Sequence, residues 1–246
     1  MSKAPVRTLR VFRYAMYFDE VDDYVDVKPF PLGGESTVEA WFHDINIYTN
    51  YWGTVFGWFY NWNNYAIMNH QGNTGRQKYG YMISGVGLAA ISSDIIPSRF
   101  VHGTGVFSAS KGFAKLYWDA TVVGSRTFTP LSQPVWLATK VCVGHFNNYC
   151  WFNGYIVLVR VYSRALSEDE IAWNYNNPDN PIRDGLVLWL QANPDNIKDI
   201  DGDGVLEWVD LSGYNNHGKI YGATLVEVIK APSRVLAPSR ILSTAR

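Results

Sequence analysis

The chain is poor in charge: Lys, Arg, Asp and Glu make up 17% of its 246 residues, and the formal net charge is −1. Without a basic excess there is no broad positive field to gather phosphates, which argues against a nucleic-acid partner. No uninterrupted apolar run reaches the about 18 residues that a membrane-spanning helix needs, so no span is expected. Only two cysteines occur, too few for a disulfide-built scaffold. The opening stretch MSKAPVRTLRVFRYAMYF has basic residues but no long apolar segment, and it predicts no secretory signal. No GxSxG or HExxH pattern is present, and neither cysteine has an evident histidine partner, so nucleophilic and zinc-hydrolase chemistry lack their usual residues.

Aromatic residues, by contrast, are abundant. They form 15% of the chain, with ten Trp and sixteen Tyr, more than a core of this size requires. The surplus points to a recognition surface or a large interface. Hydrophobic residues at 47% suffice for one core, and the length suits a single large β-domain.

The pattern along the chain is one of short strands. Residues 14–27, YAMYFDEVDDYVDV, read as two strands divided by an acidic turn, and 37–45, TVEAWFHDI, alternates Val38, Ala40 and Phe42 against Thr37, Glu39, Trp41 and His43. Glu39 is expected at the strand surface. GTVFGWFY, NYAIMNHQ, YGYMISG, RFVHGTGVFSA, KLYWDATVVGS, VWLATKVCVGHF and CWFNGYIVLVRVYSR continue the series, separated by Gly, Asn, Ser and Pro. Such spacing predicts an antiparallel sandwich or barrel. One helix interrupts it near 167–175, where Ser167 and Glu170 form a capping box and the acidic cluster Glu168, Asp169 and Glu170 suits a helix N-terminus. GLVLWLQA and the two strands of LEWVDLSGYNNHGKIYGATLVEVIK close the series. The expected organisation is an extended arm over 1–13, one sandwich over 14–229 with 185–229 supplying closing strands, and a second arm over 230–246. The arms carry a repeat: APVRTL, APSRVL and APSRIL. Pro in each favours extended or edge placement, on the domain itself or on a neighbour, against plain disorder.

Three local constellations carry candidate chemistry. Cys142 and Cys150 flank VGHFNNY, a predicted hairpin tip; a cross-hairpin disulfide and two buried thiols both remain open, because spacing does not fix Cβ geometry. In DIDGDGVLEWVD, Asp199, Asp201, Asp203, Gly204, Glu207 and Asp210 fall at the first, third, fifth, sixth, ninth and twelfth positions of an EF-hand-type loop, with the Val205 carbonyl at the seventh. Structural calcium is expected there, against a solvated hairpin in which Gly202 and Gly204 supply positive φ. Asp19, Asp22 and Asp23 offer a further acidic turn. Finally, Tyr48, Tyr51, Trp52, Trp58, Tyr60, Trp62 and Asn64, with Asn147, Asn148, Tyr149 and Trp151 on the cysteine hairpin, combine rings with amides. Aromatic faces stack on sugar C–H faces and amides bond hydroxyls both ways, so these are candidate glycan-binding residues. Core packing or subunit contact explains the same rings without a ligand.

FDEVDDYVDV, STVEAWF and NGYIVLVRVYSRALSEDEI resemble the laminin-G-like modules of the concanavalin A-like lectin/glucanase superfamily, and LVLWL and DLSGYNNHGKIYGA are similar to segments of the same group. The resemblance implies an all-β, antiparallel jelly-roll sandwich with one short helix. In many relatives the last two segments come first, so this arrangement looks circularly permuted, and self-closure is favoured over donation to a neighbour. Where relatives often carry acidic residues supporting calcium, this chain has Val157 and Leu158, which puts that site in doubt. The superfamily's glucanases resemble one another in a strand with paired glutamates; no ExDxE or ExDxxE occurs here, so glycoside hydrolysis is disfavoured. The expectation is a non-enzymatic surface protein binding glycans or a host surface through aromatic loops. A loose similarity to virion and surface proteins of archaea and their viruses adds a particle or appendage location. The competing expectation is a purely structural capsid, filament or spike subunit, homo-oligomeric or joined to neighbours through its arms.

Overall fold

A computed structural model of the protein describes residues 12–45, 52–71, 74–83, 86–132, 135–146 and 150–228. The arms and the hexad repeat at both ends therefore lie outside the described residues, apart from Phe12 and Arg13.

Alternating apolar residues build two antiparallel sheets whose inner faces meet. The first sheet runs β11 (Thr121–Thr127), β10 (Phe113–Trp118), β9 (Val101–Ser108), β4 (Glu35–Asp44), β14 (Asn153–Tyr162), β1 (Tyr14–Asp19) and β19 (Thr224–Glu227), with β15 (Leu186–Gln191) also pairing β14. The second runs β16 (Ile197–Lys198), β17 (Glu207–Trp208), β18 (Gly218–Tyr221), β2 (Tyr24–Val27), β13 (Lys140–Val143), β5 (Thr54–Asn61), β6 (Asn64–Gln71), β7 (Arg76–Ile83) and β8 (Val86–Ile95). A small ribbon joins β3 (Pro31–Leu32) to β12 (Trp136–Leu137). Phe18, Val25, Phe42, Phe56, Trp58, Val143, Ile156 and Val159 meet between the sheets, at 25 to 30 cal/mol per Å2 of apolar surface removed from water, roughly.

The acidic turn at 20–23 passes the chain from the first sheet to the second, which is why β1 and β2 are separate strands. The closing strands are intramolecular. β15 pairs Leu158–Tyr162 of β14 while β1 pairs Asn153–Ile156 on the same strand, so the two share one edge end to end. β18 then flanks β2, and β19 flanks β1. The permuted order is thus absorbed by filling edges that the first part of the chain leaves open.

The helix α1 spans Glu168–Asn176, with both bonds of the Ser167–Glu170 capping box formed. Glu170 accepts two bonds from Arg164, which hold its carboxyl down at about 2. α1 covers the outer face of the first sheet, and this corrects the expectation for Glu39. Alternation does turn Glu39 away from the core, but Asn174 of α1 roofs it over, and it is fully buried. Its Oε2 accepts from Asn174 at 2.9 Å and from Arg160 at 3.4 Å, while His102 Nε2 lies 3.8 Å from Oε1. Trp41 and Tyr175 stack beside this group at 5.5 Å. His70, His102 and His145 are buried as well.

Candidate functional site

The outer face of the second sheet has no helix on it among the described residues. Because Val25, Val141, Val143, Trp58, Ala66, Met68 and Tyr79 point into the core, the residues between them point out. Two aromatic groups result. At one end Tyr221 stacks on Tyr24 (4.7 Å), Tyr24 lies against His145 (4.5 Å), and His145 stacks on Trp151 (4.9 Å). His145 is buried, and neither ring nitrogen has a hydrogen-bond partner among the described residues. Burial, and then the charge of Lys140, push its pKa down to about 4, so it is a neutral ring at physiological pH.

At the other end Phe146 packs on Phe59 (5.7 Å) and Tyr65 (5.1 Å), and Phe59 meets Trp62 edge to face (5.4 Å). Trp62 tops the β5–β6 hairpin with 61% of its surface exposed. Asn61 shapes that tip by accepting from Asn63 N and Asn64 Nδ2. Trp52 stands before β5 with the Lys78 ammonium 5.0 Å from its ring centre. Its backbone position is set by a buried relay in which Gly53 N donates to His70 Nε2 (3.0 Å) and His70 Nδ1 bonds Asp44 (2.7 Å). A Cβ on Gly53 would sit 2.4 Å from the His70 ring, so this approach requires glycine.

Among the residues expected to bind glycans, Trp52, Trp62, Asn64 and Trp151 lie at the surface of this sheet. Trp58 does not: it is inside the core and donates to the Phe30 carbonyl at 2.9 Å. It falls on the inward parity of β5, which its aromatic neighbourhood in sequence obscured. Tyr60 also leans inward, stacked on Trp136. Tyr48, Tyr51, Asn147, Asn148 and Tyr149 lie outside the described residues. Tyr24, Tyr221, Lys78 and Lys140 escaped sequence reasoning, although alternation against Val25 and Val27 was the available signal for Tyr24.

Of the two alternatives left open for the cysteines, the structure shows free thiols. Cys142 points to the His145 carbonyl at 2.8 Å from its place between β2 and β5, and Cys150 stands as a separate thiol beyond it. Burial pushes the Cys150 thiol up.

The DIDGDGVLEWVD segment is the tip of the β16–β17 hairpin, with Ile197 opposite Trp208 and Lys198 opposite Glu207. Asp199, Asp201 and Asp203 bring carboxylate oxygens within 4.8 Å of one another, all exposed. Gly202 and Gly204 take the positive φ the turn needs. Lys219 pairs with Asp201 (2.8 Å) and with Asp203. Glu207 and Asp210 turn elsewhere: Glu207 accepts from Ile200 N, and Asp210 accepts from Trp189 N, Ser212 and Asn216 N. Their positions follow from β-pairing, where an EF-hand would continue into a helix. Three hard oxygen donors suit calcium, with the Val205 peptide alongside. Asp19, Asp22 and Asp23 also cluster within 4.8 Å, with Asp23 Oδ2 accepting from Asp19 N.

Several solved structures share this architecture. A putative carbohydrate binding protein from Bacteroides ovatus is 15% identical, with a TM-score of 0.64 over 88% of this chain and 60% of the other. A heptameric SAP-like pentraxin from Limulus polyphemus is 13% identical, with a TM-score of 0.54 over 68% and 84%. Domain 4 of an extracellular arabinanase from Geobacillus stearothermophilus, in complex with arabinotriose, is 17% identical, with a TM-score of 0.52 over 64% and 74%. At such identities the likeness is one of fold. A comparison with curated proteins finds no match. A sequence model of the laminin-G-like group matches residues 19–172, more than half the chain, and the protein belongs to the concanavalin A-like lectin/glucanases superfamily.

Proposed function

We propose that the protein is a non-enzymatic carbohydrate-binding module that holds glycans on the outer face of its nine-stranded sheet. One observation carries this reading: two groups of rings, Tyr24–Tyr221–His145–Trp151 and Phe59–Tyr65–Phe146–Trp62, occupy a sheet face with no helix over it among the described residues. Trp62, largely in water at the tip of the β5–β6 hairpin, is within reach of a ligand. The arabinotriose complex of the similar arabinanase domain is a case of this fold carrying a sugar. Hydrolysis is not proposed, since Glu39 is sealed beneath α1 and Glu168 and Glu170 are engaged by Lys115 and Arg164. Calcium at Asp199, Asp201 and Asp203 would stiffen the β16–β17 hairpin and take no part in chemistry. An extracellular or particle-surface location suits such a module.

The test is binding of the full chain to a glycan panel, followed by calorimetry on hits. Replacing Trp62 or Trp151 by Ala should weaken binding about tenfold, as loss of a stacking contact of about 1.4 kcal/mol implies. Unchanged affinity in both would overturn the reading.

A second reading, a self-assembling surface subunit, draws on one feature. Val228 N bonds Arg13 O at 2.8 Å, so the two ends of the described chain leave the sandwich side by side. The hexads at 4–9, 231–236 and 237–242, which share the order Pro, Arg, Leu, lie outside the described residues, and a joint action on a neighbour is the proposal. Concentration-dependent assembly that is lost on deleting residues 231–246 would support it; a chain that stays monomeric at all concentrations would refute it, and assembly that survives the deletion would refute the role of the C-terminal hexads.

A further inference from the structure

We infer that the glycan taken by this face carries an acidic group, bound at Lys78 against the wall of Trp52. The inference rests on the carbohydrate-binding reading and names its ligand class.

Thr54, Asn69 and Lys78 lie in one register row across β5, β6 and β7. Met68 and Tyr79, one residue away, are core, so Asn69 and Lys78 are on the outer side. Among the cations of this sheet, Lys78 is half-buried and forms no ion pair among the described residues, whereas Arg76 and Lys198 are solvent-exposed. Lys219 holds Asp201 and Asp203, and Lys140 lies in the field of Asp26. The Lys78 ammonium is half-buried, and among the described residues its partner is the Trp52 ring, with no carboxylate in reach. Burial lowers its pKa, the mark of a cation short of compensating charge. Beside it Asn69 is 2% exposed, and its Oδ1 accepts no bond among the described residues.

These three groups are complementary to one kind of molecule. The Trp52 face receives the C–H face of a sugar ring, the Lys78 Nζ meets a carboxylate or sulfate, and Asn69 Oδ1 accepts from a hydroxyl. A neutral glycan would leave the ammonium uncompensated and cover it from water, a desolvation cost that disfavours such ligands.

The experiment uses the full chain and three probes: oligogalacturonate, its methyl ester and a sulfated galactan oligosaccharide. The acid should bind about tenfold or more tightly than its neutral ester, as a charge-assisted bond implies, and should weaken with salt. Lys78→Met should abolish the preference and Lys78→Arg should retain it. Because Lys78 has no carboxylate partner to strand, K78M should melt no lower than the parent, which separates lost recognition from lost folding. Binding of the sulfated probe with the same Lys78 dependence would identify the site as one for anions generally, and its failure would restrict the site to carboxylates. Equal affinity for acid and ester, or a preference that survives K78M, overturns the inference while leaving carbohydrate binding intact. Binding to none of these and to no panel glycan overturns both.

Discussion

The sharpest prediction concerns Glu39→Gln, because the consequences of this change can be worked from the contacts around it. Glu39 and Arg160 are fully buried. Arg160 donates to the Pro178 carbonyl at 2.6 Å and to Glu39, and its Nε has no hydrogen-bond partner among the described residues. Glutamine preserves the volume and removes the charge, leaving a buried guanidinium with no counter-ion. Breaking one side of such a pair costs about 3 to 5 kcal/mol, against about 1 kcal/mol for an ordinary neutral hydrogen bond. For a domain of this length that lowers the melting temperature by roughly 6 to 20 °C. Arg160→Met should cost a similar amount alone. The double variant should recover at least about 2 kcal/mol relative to the sum, since it strands neither charge. Urea unfolding of the four proteins measures this directly. An E39Q variant within about 0.5 kcal/mol of the parent, or single effects that simply add, would refute the idea that Glu39 and Arg160 compensate each other as a buried charge pair beneath α1.

Alternation correctly separated Val38, Ala40 and Phe42 from Glu39 and Trp41, since period two is a local property of the strand. What lies above the outer face is a matter of tertiary structure: α1 is more than a hundred residues away in sequence. The capping box was legible because Ser167 and Glu170 act within one helical turn. The two-sheet sandwich was legible through the family resemblance, and the closure of β15, β18 and β19 onto β14, β2 and β1 followed from the apolar edges they cover. The site was legible in part. Clustered aromatics pointed to Trp52 and Trp62, but could not distinguish them from Trp58, whose direction depends on the register of β5 against β13. Lys78 gave no signal at all, because a lysine in a strand is ordinary until its neighbours are shown to lack a carboxylate.

The two faces of the sandwich therefore differ for a physical reason. The first sheet carries a buried ion pair that α1 must cover, and this commits its outer face to stability. The second sheet has no helix over its outer face among the described residues, and there Trp52, Trp62 and Lys78 are open to a ligand.

Further outcomes follow from the same contacts. His145 has a folded pKa lowered to about 4, so its contribution is present above the unfolded value near 6.5 and is lost as pH falls through about 4, at about 1.4 kcal/mol per pH unit; His145→Phe should flatten melting temperature against pH over that window. Ser167→Ala should cost about 1 kcal/mol in urea unfolding by removing the helix cap, and no loss would contradict the capping box. Calcium at a hundredfold excess over its dissociation constant should raise stability by about 2.7 kcal/mol, an effect absent in Asp201→Ala; identical melting curves with and without calcium would exclude the site. Deleting residues 185–246 tests self-closure most severely. It removes the buried Leu186, Leu188, Trp189, Leu190 and Trp208, each worth about 1.5 to 3 kcal/mol, a sum comparable with the about 5 to 15 kcal/mol that holds a whole domain folded. The shortened chain should lose cooperative unfolding, and a separately supplied fragment of residues 185–228 should restore it. A shortened chain that melts cooperatively by itself would show that β15 to β19 decorate a finished sandwich and do not complete it.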